Sequence, residues 1–341
     1  MSSTQALLSP EEIAVRAGQQ VPHLLGPKRL DVFAERATRL RQRAAGHSMR
    51  DFLTFAAELV HAQHQLLQSY PAVALPDADA LDAASRAGKP PLPAALWPRD
   101  PAWREGFHRL IDALLPRLAG SPAEASVRAL KAMDDETLER QADRLLQNVM
   151  FGLDMAAAPL VAAALQTYWT HLVLATEAAR GSDRLAPFGR IDDATLCPCC
   201  GSRPTASVSR IDGGGSFRYL HCSLCSAQWH MVRIKCSHCE STKGIHYQSL
   251  QPAGADATAP SNKEAVEAET CDECGHYLKI VRMERDMYVE PVADDLASVT
   301  LDLLVSEAGF QRHGVNLMLL FGDPDAHVDS PAGDSPDGGG G

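Results

Sequence analysis

Along most of the first 190 positions apolar residues recur at spacings of three and four. The runs "FLTFAAELVHAQHQLL" (52–67), "LIDALLPRL" (110–118) and "LERQADRLLQNVM" (138–150) carry this pattern, which predicts amphipathic helices. Ser9–Glu12 and Ser121–Glu124 read as capping boxes with proline at the first helical position. A Pro-rich passage over 70–100 separates the early helices from the later ones. It reads as a surface connection, in preference to an extended flap over a neighbouring surface.

From about residue 205 the period changes to two. "TASVSRI", "FRYLHC", "AQWHMVRIK", "IHYQSL" and "YLKIVRM" are short β-runs. "ADDLASVTLDLLVSEAGF" (293–310) returns to helix, with Gly309 placed as its C-terminal stop. The fold class expected is α+β: an N-terminal all-helical domain, two tandem rubredoxin-like or zinc-ribbon-like modules, and a C-terminal helix. The divisions fall at 1–190 for the helical domain, 191–240 for the first module with its linking strand, and 236–292 for the second. A helical segment follows at 293–322, and the acidic, Gly-rich stretch 323–341 reads as a disordered tail.

Composition narrows the chemistry. A hydrophobic share of 45% is enough for a substantial core, and a net charge of -11 argues against a polyanion as main partner. The N-terminal residues lack the charged start and apolar run of a secretory signal, and the longest apolar stretch, 155–165, is too short to span a bilayer. A cytoplasmic protein without membrane insertion is expected. In that reducing compartment, clustered cysteines point to metal or redox chemistry and not to structural disulfides.

All nine cysteines lie between Cys197 and Cys274, eight of them in four C-x-x-C pairs. Each pair forms a knuckle whose backbone amides face the sulfurs, and two knuckles make a tetrahedral tetrathiolate site. Between Cys225 and Cys236 stand ten residues with no turn-former. Read as a strand at about 3.3 Å per residue, they carry the neighbouring knuckles too far apart to share one ion. Between Cys200 and Cys222, "DGGGS" supplies a hairpin turn. The expected sites are therefore Cys197, Cys200, Cys222 and Cys225, and Cys236, Cys239, Cys271 and Cys274.

Cys199, inside "CPCC", reads as an incidental small residue. His221, His230, His238 and His276 are assigned around the sites or at the surface, and Trp229 to the core between the modules. Spacing does not choose between iron and zinc. A closed tetrathiolate leaves no open position for substrate, so hydrolytic metal chemistry is not expected. No nucleophile motif, P-loop or dinucleotide fingerprint stands elsewhere. The acidic pairs Asp134–Asp135 and Asp294–Asp295 are accounted for as N-terminal charge on helices. From Cys197 to Pro291 ten Lys/Arg face eleven Asp/Glu, which disfavours a nucleic-acid-binding ribbon.

"CPCCGSRP", "RYLHCSLCSAQWHMVRIKCSHC", "CDECGHYLKI" and "VADDLASVTLDLL" together resemble the formate dehydrogenase accessory protein family, FdhE. The likeness is specific from Cys197 to Leu304 and weaker through "LTFAAELVHAQHQLL" and "YWTHL". Cys199 departs from the family's usual "CPxCG", in which x is a residue other than cysteine. The resemblance implies a cytoplasmic maturation factor, not an enzyme, needed to make active respiratory formate dehydrogenase. It further implies binding to the catalytic subunit before export by the twin-arginine route, and iron in both tetrathiolate sites with zinc as the alternative metal. The competing expectation is a rubredoxin-like electron-transfer protein acting on a redox partner.

Overall fold

A computed structural model describes residues 21–180, 186–212, 215–250 and 264–320, and the statements below concern these. The Ser9–Glu12 capping box, the polar excursion 251–262 and the tail 323–341 lie outside them.

Seven helices make up the first half: α1 (Val32–Ala44), α2 (Arg50–Gln68), α3 (Ala78–Arg86), α4 (Ala102–Leu114), α5 (Ala123–Leu130), α6 (Asp135–Leu146) and α7 (Ala158–Arg180). In α2 the buried positions Leu53, Ala56, Val60, Gln63 and Leu67 follow the three–four spacing, so one face turns inward. α7 is buried on every side from Leu160 to Val173, and α2, α4 and α6 pack around it. Asp134 caps α6 by accepting the Thr137 N–H at 2.8 Å. The capping box at Ser121–Glu124 is only half formed. Glu124 reaches back to the Gly120 N–H at 2.8 Å, but the Ser121 hydroxyl has no partner, and Pro122 sits before the first helical residue.

The Pro-rich passage is a flap, which corrects the expectation of a plain connection. After α3, the Leu92 N–H donates to the Cys199 carbonyl (3.0 Å) and the Ala94 N–H to the Cys200 carbonyl (2.9 Å). The Trp169 indole N–H on α7 donates to the Leu92 carbonyl at 3.2 Å. The segment is thus clamped between the central helix and the first knuckle.

The strands are β1 (Leu24–Leu25), β2 (Pro204–Asp212), β3 (Gly215–Cys222), β4 (Gln228–His230), β5 (Ile245–Gln248), β6 (Val266–Cys271), β7 (His276–Arg282) and β8 (Gln311–Arg312). Among the described residues they form one mixed sheet in the order β1-β4-β3-β2-β7-β6-β5, with β8 beside β7. The β2–β3 and β6–β7 pairs are antiparallel hairpins, each carrying knuckle cysteines at its end. The halves of the sheet join where β2 runs parallel to β7, Ser207 opposite Ile280.

That junction replaces the expected tie through 226–235, where only Gln228–His230 is strand. The remainder bends because the buried Arg218 guanidinium collects its carbonyls, Val232 at 3.3 Å and Lys235 at 2.7 Å, while pairing with Glu269 at 2.6 Å. Val232 and Ile234 are left exposed.

The C-terminal helical segment is broken in two, α8 (Pro291–Leu296) and α9 (Val299–Glu307), and Gly309 follows with φ 92°. The break is fixed by Lys279, whose Nζ donates to the Asp295 carbonyl (2.7 Å) and the Ser298 hydroxyl (3.1 Å). Asp294 and Asp295 do more than complement a helix dipole. Both are buried, Asp294 against Arg39 at 2.8 Å and Asp295 against Lys279 at 2.9 Å and Arg312 at 2.8 Å.

One apolar core runs from Phe33 through α7 to Met318 and takes in Cys197, Cys199, Cys200, Cys222 and Cys225. A smaller one, with Val208, Tyr219, Val266, Tyr277 and Leu301, lies on the sheet under α9. Trp229 belongs to the larger core, its indole N–H on the Ala194 carbonyl (2.9 Å), and on β4, paired with Leu24 at the edge of the sheet away from β5–β7, it does not sit between the modules.

Candidate metal centres

Each C-x-x-C pair folds the same way. The residue after the second cysteine is in the left-handed region: Gly201 (φ 73°), Ser226 (φ 60°), Glu240 (φ 61°) and Gly275 (φ 69°). In three knuckles this residue's N–H closes the turn onto the first cysteine's carbonyl: Gly201 to Cys197 (2.8 Å), Glu240 to Cys236 (3.1 Å) and Gly275 to Cys271 (2.9 Å). Glycine meets this conformation without strain, so "CPCCG" and "CDECG" announce it in sequence. The turn leaves amides facing sulfur. The Leu224 and Cys225 N–H groups lie 3.4 Å from Cys222 Sγ, and those of His238 and Cys239 lie 3.4 and 3.5 Å from Cys236 Sγ.

The β2–β3 and β5–β6 pairings bring the knuckles together as two quartets, Cys197/Cys200/Cys222/Cys225 and Cys236/Cys239/Cys271/Cys274. In the first, sulfur separations are 3.6 Å (Cys197–Cys225), 3.4 Å (Cys200–Cys222) and 3.7 Å (Cys200–Cys225). In the second, Cys236–Cys274 and Cys239–Cys271 are each 3.8 Å. A tetrahedral ion with metal–sulfur bonds of about 2.3 Å needs sulfurs about 3.8 Å apart, so both quartets fit a zinc- or iron-sized ion.

Their electrostatics fit too. Burial pushes the Cys222 and Cys225 thiols up. Burial also opposes ionisation of Cys197, but S–H donation from Cys199, Cys200, Cys222 and Cys225 holds it well below the usual thiol range. In the second quartet burial raises Cys236 and Cys274. Cys239, where burial is slight, is lowered by the Ser241 amide and its cysteine neighbours. Each quartet thus sets one lowered thiol beside two raised ones, and four thiolates held this close require a cation among them.

The quartets differ in exposure. All four sulfurs of the first are sealed in the large core. In the second, Cys239 is exposed and Cys274 half-buried. Cys199, also fully buried, stands behind the first quartet with its carbonyl held by the flap.

Two supporting residues, Gln166 and Thr170, escaped the sequence pattern because they come from the distant helix α7. Gln166 on α7 donates to the Ser223 carbonyl (2.7 Å), and the Thr170 hydroxyl donates to the Cys225 carbonyl (3.4 Å). His221 is fully buried, with the Arg36 guanidinium 3.2 Å from Nε2 and the Gln228 amide 3.1 Å from Nδ1, and burial holds its pKa well below the usual value. It therefore packs beside the first quartet as a neutral imidazole. His230 is edge-on to Tyr219. His238 stacks on His276 next to the second quartet.

Three successive family models match the chain: "FdhE, N-terminal" over 21–183, "FdhE, central domain" over 196–233 and "FdhE, C-terminal domain" over 234–319. Curated relatives include "Protein FdhE homolog" of Klebsiella pneumoniae subsp. pneumoniae and "Protein FdhE" of Salmonella paratyphi A. Each is 38% identical over 308 residues, covering 90% of this chain and 94% of the relative. The crystal structure of the FdhE protein from Pseudomonas aeruginosa superposes with a TM-score of 0.73 at 38% identity. It covers 89% of this chain and the whole of that one.

Proposed function

Because this chain belongs to the FdhE family of formate dehydrogenase accessory proteins, we propose that it is a cytoplasmic maturation factor that binds the formate dehydrogenase catalytic subunit and holds iron in two tetrathiolate sites. The carrying observation is the pair of sulfur quartets, spaced for a tetrahedral ion and built into one sheet. Cys197, Cys200, Cys222 and Cys225 hold one ion, and Cys236, Cys239, Cys271 and Cys274 the other. Zinc is the alternative occupant, since the donor set suits both metals. A metal-filled quartet supplies cross-linking and, with iron, a one-electron couple. The protein supplies the amides that stabilise the thiolate charge and the flap that holds the first knuckle's backbone.

No nucleic acid is assigned as partner, in keeping with ten cationic against eleven anionic residues between Cys197 and Pro291. Among the described residues no helix is long and apolar enough to cross a membrane. A second reading, electron transfer to a redox partner, draws on the exposed Cys239, through which an electron enters or leaves the second site more readily than the first.

Co-purification tests the proposal. The tagged chain is expressed beside a formate dehydrogenase catalytic subunit, and the eluate is assayed for subunit, iron, zinc and ferric-thiolate absorption. Recovery of the subunit with a red, iron-containing chain is expected. A soluble subunit that fails to co-purify overturns the client assignment, and zinc alone overturns the iron assignment.

A further inference from the structure

Beside the second quartet, one ring nitrogen each of His238 and His276 and the sulfur of Cys274 lie within 4.8 Å of one another. The two imidazoles are stacked, centroids 4.0 Å apart and planes 15° from parallel. His276 Nδ1 is 2.7 Å from the Cys274 carbonyl, so that nitrogen carries the proton and Nε2 keeps its lone pair. A backbone carbonyl fixing the tautomer in this way is the usual support behind a metal-bound histidine.

Cys274 is shared. A sulfur bound to one ion keeps further lone pairs and bridges readily to a second. Four thiolates around one divalent ion also leave net negative charge that attracts another cation. We propose that His238, His276 and bridging Cys274 form a third metal site, fused to the second quartet and open to solvent, for a zinc-class divalent ion. This rests on the reading that the second quartet itself holds metal.

Two imidazoles and one thiolate are donors zinc accepts, and hard cations such as magnesium and calcium are excluded by the lack of oxygen ligands. Tetrahedral zinc needs imidazole nitrogens about 3.4 Å apart. His238 is exposed, so rotation of its ring brings the cluster to that spacing without moving the core. Three protein ligands leave a fourth position for water, and the ion exchanges more easily than the two held by four sulfurs.

The test uses the full chain loaded with zinc, counted by native mass spectrometry, and with cadmium-113, observed by NMR. Expected are three ions per chain, the third lost first to a mild chelator. Among three cadmium resonances, two should show scalar coupling through a shared sulfur. His238→Asn alone, and the His238→Asn/His276→Asn pair, should stop at two ions with thiolate–metal absorption intact. Two sulfur-bound ions without a third, or a third that survives in the double variant, overturns this site alone. Fewer than two ions in the wild type overturns the quartet reading, and this proposal with it.

Discussion

Gln166, midway along the buried helix α7, gives its side-chain N–H to the carbonyl of Ser223 inside the second knuckle, 2.7 Å away. Its own Oε1 accepts from Gln63 on α2 at 3.2 Å. The helical half therefore holds the first quartet by a relay of buried amides, and the two halves of the chain share one structural task.

Breaking that relay should loosen one site only. In Gln166→Leu the Ser223 carbonyl loses its partner and the Gln63 amide keeps only the Ala163 carbonyl, at a cost of about 1–3 kcal/mol. Metal release from the first quartet, followed with a chromogenic chelator, is expected to speed up several-fold while the second quartet is unchanged. Equal release from both would show that the relay has no hold on the knuckle.

The flap makes a similar claim about backbone. Leu92→Pro removes the N–H that the Cys199 carbonyl accepts. The variant should lose first-site metal faster than wild type at the same chelator concentration, with the helix signal in circular dichroism retained. If its metal is held as tightly as before, the flap is only a covering.

Exposure predicts two exchange rates. With Cys239 exposed and the first quartet sealed, chelator should strip the two quartet ions of the wild-type chain in separate phases, the fast one at least tenfold quicker. Cys239→Ser should abolish the fast phase and leave the slow one. A single phase would mean that one opening event frees both ions.

The Arg36–Glu290 pair (2.9 Å), fully buried on the arginine side, joins α1 to the start of α8. Removing one partner strands the other, and Glu290→Gln should lower unfolding free energy by about 3–5 kcal/mol. Arg36→Met/Glu290→Gln should recover part of that loss. A urea double-mutant cycle with no coupling energy would rule the pair out as a clamp.

Acid should weaken the helical half through His171. Burial, with the Arg29 guanidinium alongside, lowers its pKa to about 4. An unfolded histidine titrates near 6.5, so the unfolded chain binds the proton more readily across that interval. Its contribution is complete above about 6.5 and is lost as pH falls toward 4. The urea midpoint should drop between pH 7 and 5, and less steeply in His171→Phe, which keeps a ring against Tyr70. Identical slopes would discount His171.

What the sequence disclosed follows from the range of each interaction. Knuckles, the hairpin turn between Cys200 and Cys222, and the glycines at 201 and 275 are local and could be read directly. Arg36 meets Glu290 across 254 positions, and nothing in either neighbourhood announces the other. The β2–β7 pairing was hidden for a related reason, since parallel neighbours share no short turn. The stretch after His230 misled because its alternation is that of a strand, while Arg218 withdraws the carbonyls a partner strand would have used. The Pro-rich flap was misjudged because its role lies in two N–H groups, and composition is silent about those.

A site sealed inside a core can be filled only while that core is open. The first quartet thus ties metal supply to the moment of folding, whereas the second can be served at any later time. Chains folded without the ion should fill their exposed quartet afterwards and the sealed one only after being unfolded again. For a cell, a brief shortage of metal during synthesis would then leave a lasting population of half-filled protein that later abundance does not repair.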